Sequence, residues 1–250
     1  VLTLVGEKGA GKSTMMKILA GVHTPDEGTI ELDGRAVQIG SVREAQKHGI
    51  ALIHQELNLS DNLDIAANIF LGNEPHKYGV LDRKRIYEES AGYLKRVGLD
   101  FPTDTLVADL TIGHQQLVEI SKALSVEARI IIMDEPTSSL SQKESQNLFE
   151  VIRDLKSHGI AIIYITHRLG EVTELSDRVA VLRDGENVGE LVGDEITHDA
   201  MVKLMVGRDL SQFYIRTATP PGEVVLELDR LRTPVHPRDC LLYTSPSPRD

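Results

Sequence analysis

VLTLVGEKGAGKSTMMKILA, residues 1–20, is the stretch on which the fold turns. Its opening, residues 1–5, is a short apolar run of the kind that forms a buried strand, and TMMKILA at residues 14–20 continues as an apolar-faced helix. Between them GEKGAGKST matches G-x-x-x-x-G-K-[ST], with Gly6, Gly11, Lys12 and Ser13 in register. A glycine-rich turn from strand to helix is a phosphate cradle. Gly6, Gly9 and Gly11 let the backbone come close, and the amides from Gly9 through Ala10 to Ser13 point at the phosphates, with Thr14 opening the helix. Lys12 then reaches the β- and γ-phosphates of ATP, and the Ser13 hydroxyl ligates Mg2+. A glycine-rich turn that binds nothing would share these letters, but the flanking strand and helix favour the phosphate-binding form.

Two further apolar runs end in reactive side chains. RIIIMDE, residues 129–135, is a continuous apolar strand closed by Asp134 and Glu135, and such runs suit a parallel sheet buried on both faces. Ligands of open α/β sheets gather at the carboxyl ends of strands, which would bring both carboxylates beside the phosphate turn. Asp134 is then the metal-side carboxylate, and Glu135 the group that orients or deprotonates an attacking water. An ordinary acidic pair at a strand end is the plain alternative. IAIIYIT, residues 160–166, ends at His167, which by the same rule faces the γ-phosphate, unless it is merely structural. Gln55 follows the apolar residues 50–53 and offers an amide to the metal or the water; it draws notice only in company with the other motifs.

Taken in order, these pieces and the segment LTIGHQQ at residues 110–116 resemble the ATP-binding subunits of ABC transporters. The P-loop at residues 6–14, the Q-loop at Gln55, the signature at residues 110–116, the Walker B strand ending at Glu135 and the switch histidine His167 follow the family's sequence. ALIHQELNL, LTIGHQQLVEI, DEPTSSL and ITHRLGEV are similar to the importer subfamily that energises uptake of ribose, xylose, galactose and related sugars, and LMVGRDL is similar to the ending of its first domain. The resemblance implies an α/β P-loop NTPase of ABC ATPase type. Its mainly parallel sheet core would carry a helical subdomain over about residues 56–125 and an antiparallel subdomain left incomplete, because relatives have further strands before Val1. It also implies that Thr111, Gly113 and Gln115 serve an ATP held by a second ABC domain.

Some positions depart from the family pattern. Thr111 stands where serine is usual and keeps the hydroxyl donor. His114 replaces a residue that varies in the subfamily, Ser141 occupies the place of a common aspartate, and Ala67 stands where relatives often have glutamate.

The composition fits a soluble ATPase. The 250 residues are 41% hydrophobic and 26% charged, enough apolar content for a real core. A net charge of -11 opposes binding to nucleic acid, which demands clustered Lys and Arg, and so disfavours ABC proteins of translation or DNA repair. An acidic chain draws ATP by no global field, so its phosphates must be held locally. No run approaches the ~20 apolar residues of a membrane-spanning helix, and no amino-terminal signal pattern is present. The resemblance therefore implies a peripheral subunit on the cytoplasmic face of the membrane, partnered by permease subunits and, in the same system, a periplasmic or extracellular sugar-binding protein. The segment between Gln55 and Leu110 reads as helical, with Tyr87, Ala91 and Leu94 on one face, and is the expected permease contact.

The first ABC domain is expected over residues 1–211, a connector over 212–222, and the start of a second ABC domain over 223–239, where EVVLELDRL alternates like a strand. CLLYTSPSPRD, residues 240–250, resembles a translated sequencing-library adapter, which would place the single cysteine, Cys240, outside the protein proper. The reading is thus a fragment of an ATPase energising carbohydrate import, weakly active or inactive alone. A soluble non-transport ABC ATPase and a non-catalytic ATP-binding regulatory module are the alternatives, and the intact Lys12, Asp134, Glu135 and His167 argue against the second.

Overall fold

The structure, a computed structural model, describes residues 1–207. The expected connector, second-domain start and adapter-like tail lie outside the described residues. The chain begins with β1 (Leu2–Gly6) and α1 (Lys12–Leu19), passes through an antiparallel pair, β2 (Ile30–Leu32) and β3 (Arg35–Val37), and continues with α2 (Val42–Lys47) and β4 (Ile50–Ile53). Next come α3 (Ile65–Phe70), a two-stranded ribbon of β5 (His76–Lys77) and β6 (Val80–Leu81), α4 (Arg83–Arg96) and α5 (Ile112–Ser125). The rest alternates: β7 (Ile130–Asp134), α6 (Gln142–Ser157), β8 (Ala161–Ile165), α7 (Leu169–Leu175), β9 (Arg178–Arg183), β10 (Glu186–Val192) and α8 (His198–Val206).

Six strands form one sheet in the order β10-β9-β1-β8-β7-β4. Every neighbouring pair is parallel except β9 with β10, which closes one edge antiparallel. The apolar runs explain the central strands. Successive side chains of a strand point to opposite faces, so a strand with helices on both sides must be apolar at every position. On β7, Ile131 and Met133 join the cluster built with α3, α4, α5 and α6, while Ile132 between them joins the cluster of Met16 and Ala45 from α1 and α2. On β8, Ile162 and Tyr164 face the first cluster and Ile165 the second. A third cluster packs Val5, Val179 and Val181 against Val172 of α7 and Met201 of α8.

Local signals set the helix ends. Ser41, Asp64, Asp82, Thr111, Ser141 and Thr197 each cap a helix by accepting a hydrogen bond from a backbone amide of its first turn. α1 and α7 lack such a side-chain cap, and α1 differs further. Its N-cap is Gly11, with φ at 93° and no side-chain cap, so the amides of its first turn stay open to the cleft described below. The helix starts at Lys12, two residues before the apolar pattern does, because the first turn is occupied by the polar Lys12 and Ser13.

The stripe expected on α4 is shifted. Ile86, Ser90 and Leu94 are its buried residues, Tyr87 is half-buried, and Ala91 is exposed. Ile86 and Leu94, two turns apart, set the buried line with Ser90 between them, and Ala91 falls to its solvent side. The loop leading into α3 is braced by Asn68, whose buried side chain accepts from Ser60 N and donates to the carbonyls of Ser60, Leu63 and Asp64.

Ile132 lies mid-sheet, opposite Leu52 of β4 and Ile163 of β8, and is fully buried. Ile132→Ala is expected to cost about 3 kcal/mol, as a cavity in a layer covered on both sides cannot collapse. Urea denaturation checks this, and an unchanged midpoint would contradict the two-sided packing.

Candidate functional site

The parallel register brings the carboxyl ends of β1, β8, β7 and β4 to one side of the sheet. There they bound an open cleft of about 540 Å³, lined by Gly6, Lys8, Gly9, Ala10, Gly11, Lys12, Ser13, Thr14, Gln55, Asp134, Glu135, Ile165 and His167. Residues drawn from four separate segments of sequence thus meet in one place. Gly6 is required by close packing: a Cβ there would lie 2.1 Å from the Leu182 carbonyl oxygen of β9. Gly9, at φ 90°, and Gly11 hold left-handed backbone that turns the chain into α1. The result is a row of free amides at a helix N-terminus, a favourable place for anions.

Opposed charges sit side by side in the cleft. Lys12 Nζ donates to the carbonyls of Gly6, at 2.8 Å, and Glu7, at 2.9 Å, folding the ammonium over the turn. Burial pulls its pKa below the ordinary lysine value, against the opposing pull of Glu135 and Asp134. Burial likewise raises the pKa of Asp134, offset by a hydrogen bond from Ser13 and reinforced by the neighbouring Glu135 carboxylate. Glu135 itself takes left-handed backbone, φ 47°, with its amide donating to the Ile165 carbonyl at 2.9 Å. Its Oε1 lies 3.0 Å from His167 Nδ1, so the last residues of the β7 and β8 segments are paired side chain to side chain. Gln55 is exposed at the rim, and Asn58, three residues on, donates its amide to Glu119 Oε1 of α5 at 2.8 Å, which ties this loop to the α5 helix.

Thr111, Gly113 and Gln115 do not line this cleft. Thr111 caps α5, accepting from His114 N, and Gly113 is buried in its first turn. Gln115 uses its amide locally, donating to the carbonyls of Val107 and Leu110. Reading the sequence missed two neighbours. Glu144 lies on the α5 start: its carboxylate accepts from Ser141 N and Oγ and from Thr111 Oγ1, and a Cβ on Gly113 would meet it at 2.6 Å. The spacing Ser141-Gln-Lys-Glu144 is a capping box and was readable as one, though its contact with Thr111 was not. Glu171, buried under the cleft beside Thr137, Tyr164 and Thr166, had no one-dimensional signal at all.

The cleft offers oriented amides, an ammonium, a hydroxyl, two carboxylates and an imidazole, a set suited to holding a phosphate chain and activating a water against it. Comparison with known proteins gives the family and the fold. The ABC transporter family matches over residues 1–138. The chain is 48% identical over 232 residues to the ribose import ATP-binding protein RbsA of Caldanaerobacter subterraneus subsp. tengcongensis, covering 92% of this chain and 47% of that protein. It is 43% identical to a putative ribose/galactose/methyl galactoside import ATP-binding protein of Agrobacterium fabrum, covering 92% and 45%. The chain spans about half the length of the curated relatives it matches. Among solved structures, a nucleotide-free ATP-binding cassette from an ABC transporter superposes with a TM-score of 0.72 at 23% identity, covering 83% of this chain and 84% of that one, and so shares the fold.

Because burial and Glu135 both disfavour ionised Asp134, Asp134→Asn is expected to raise the melting temperature of the nucleotide-free protein at pH 7. The sign follows from linkage: a raised carboxylate pKa lowers stability as pH rises from the ordinary value through the folded one. The gain should therefore vanish at pH below the ordinary aspartate range, and thermal melts at both pH values check it; a melting temperature lowered at pH 7 would contradict it.

Proposed function

The chain belongs to the ABC transporter family, and from that premise we propose that it binds and hydrolyses ATP to energise carbohydrate import, as the first of two ATP-binding domains in the full-length protein. The observation that carries this reading is the pairing of Glu135 with His167 across the mouth of a cleft floored by Lys12 and the open amides of α1. In this account the amides of residues 9–13 and the Lys12 ammonium hold the phosphates, the ammonium leaving its two carbonyl partners for phosphate oxygens. Glu135 accepts the proton of the attacking water, and His167 holds the carboxylate in place while its ring lies within reach of the γ-phosphate.

The donor set fits Mg2+. Ser13 and Asp134 already touch, both offer hard oxygen atoms, and the Asp134 carboxylate gains from any nearby cation. Ser13, Asp134 and Gln55 would hold it, and its role when bound is to neutralise charge on the transferred phosphoryl group.

Thr111 and Gly113 stand at the start of α5 and are not part of this chain's own cleft lining, which supports their serving the ATP of the second domain in a head-to-tail pair. The names of the relatives support a sugar as cargo, and hence permease subunits and a sugar-binding protein as partners. No helix among the described residues is long and apolar enough to cross a membrane; the proposed place is the cytoplasmic face, against the permease. A second cleft, where Val22, Val42 and Leu71 stay exposed beside Asn58, supports docking there.

In the full-length protein Glu135→Gln is expected to retain ATP binding while turnover falls at least a hundredfold. Lys12→Ala is expected to lose nucleotide affinity instead. Filter binding with labelled ATP and phosphate release separate the two effects; hydrolysis at the normal rate by the Glu135→Gln protein would contradict the assignment.

A further inference from the structure

Glu171 is buried, and four donors converge on its carboxylate. Thr137 Oγ1 donates to Oε1 at 2.7 Å, Tyr164 OH and Thr166 Oγ1 each donate to Oε2 at 2.9 Å, and Arg168 approaches Oε1 at 3.5 Å. A buried carboxylate needs such company, since an ionised group out of water is tolerated only when its lone pairs are used. What distinguishes this one is where its partners come from. Thr137 is two residues past Glu135, in the turn after β7. Thr166 directly precedes His167, and its oxygen also accepts from the Arg168 amide at 3.0 Å, so one hydroxyl closes the backbone on both sides of the histidine.

We propose that Glu171 is a positioning residue for phosphoryl transfer: through Thr137 and Thr166 it fixes the turns that carry Glu135 and His167, and so sets the distance between them. The proposal rests on the ATPase reading above. Glu135 stands in left-handed backbone, a conformation that a non-glycine residue keeps only when its surroundings over-determine it. The Ile165 carbonyl holds the Glu135 amide from one side, and the Thr137 hydroxyl, anchored to Glu171, holds the turn from the other. Neither Thr137 nor Thr166 lines the cleft, and both are about 1% exposed, so neither touches nucleotide. Tyr164 supplies an internal control. It donates to the same carboxylate from within β8, and although its hydroxyl also meets Thr137, its removal leaves both threonine bonds to Glu171 in place; burial beside Glu171 pushes its own pKa far up, so it is a neutral donor.

The test measures steady-state ATP hydrolysis and melting temperature for Thr137→Val, Thr137→Ser, Thr166→Val and Tyr164→Phe in the full-length protein assembled with its permease. Thr137→Val and Thr166→Val are expected to lower kcat by roughly tenfold or more at unchanged KM for ATP, since small displacements of a catalytic pair are costly. Thr137→Ser, which keeps the hydroxyl, is expected to retain kcat, and Tyr164→Phe is expected to lower the melting temperature with kcat near that of the parent. Equal kcat in all variants, with only melting temperatures reduced, would make Glu171 a structural anchor and overturn the proposal. So would a loss of kcat in Tyr164→Phe as large as in the two valine variants. A parent protein that hydrolyses no ATP would instead overturn the ATPase reading, which separates the two failures.

Discussion

The cleft depends on one constraint, the parallel pairing of β1, β8, β7 and β4. In a parallel sheet all carboxyl ends lie on the same side, so the turn after β1, the acidic pair after β7, the histidine after β8 and the glutamine after β4 meet without any loop having to reach far. The pairing is enforced by burial on both faces. A slip of one residue would exchange the side chains of β7 between two differently shaped cores, which a strand packed by helices on both sides cannot accommodate. The long crossovers that parallel pairing requires are the helices that cover it.

Electrostatics then tune what the topology assembles. The chain carries a net charge of -11, yet the cleft must hold an anion. In the proposed reading it does so with local charge: the amides of α1, left uncapped because Gly11 has no side chain to fold back, and Lys12, held in place by the turn's own carbonyls. The two carboxylates that follow β7 are uncomfortable together, and Asp134 bears that cost as a raised pKa. Such a site is less stable empty than it would be with neutral side chains, a common condition of groups poised for chemistry.

Much of this was legible in the sequence because the features are one-dimensional. Continuous apolar runs disclosed β1, β4, β7 and β8, and the glycine spacing of the phosphate turn disclosed its conformation. β10 was not read: Glu186–Val192 is an antiparallel edge strand interrupted by Gly189, so it lacks both the apolar continuity of the centre and a clean alternation. The stripe on α4 was misplaced at Ala91 because apolar periodicity passes over Ser90, a polar residue that is buried on the line between Ile86 and Leu94. Glu171 was invisible for a deeper reason. Its meaning lies in Thr137, Tyr164 and Thr166 converging from two strands, and nothing in the spacing of those letters announces a shared carboxylate. The role proposed for Thr111 and Gly113 rests on resemblance alone, and Glu144 lies against Thr111 by virtue of how α6 packs beside α5.

The central claim is that the carboxyl edge of the sheet is a nucleotide site in which Glu135 and His167 flank the γ-phosphate. The most direct measurement is a crystal structure of the full-length protein with Mg2+ and a non-hydrolysable ATP analogue. The expected result is a phosphate chain along residues 9–13, with its terminal phosphate between Lys12 Nζ and the Glu135–His167 pair. A nucleotide bound elsewhere, or a terminal phosphate out of reach of both Glu135 and His167, would contradict the account.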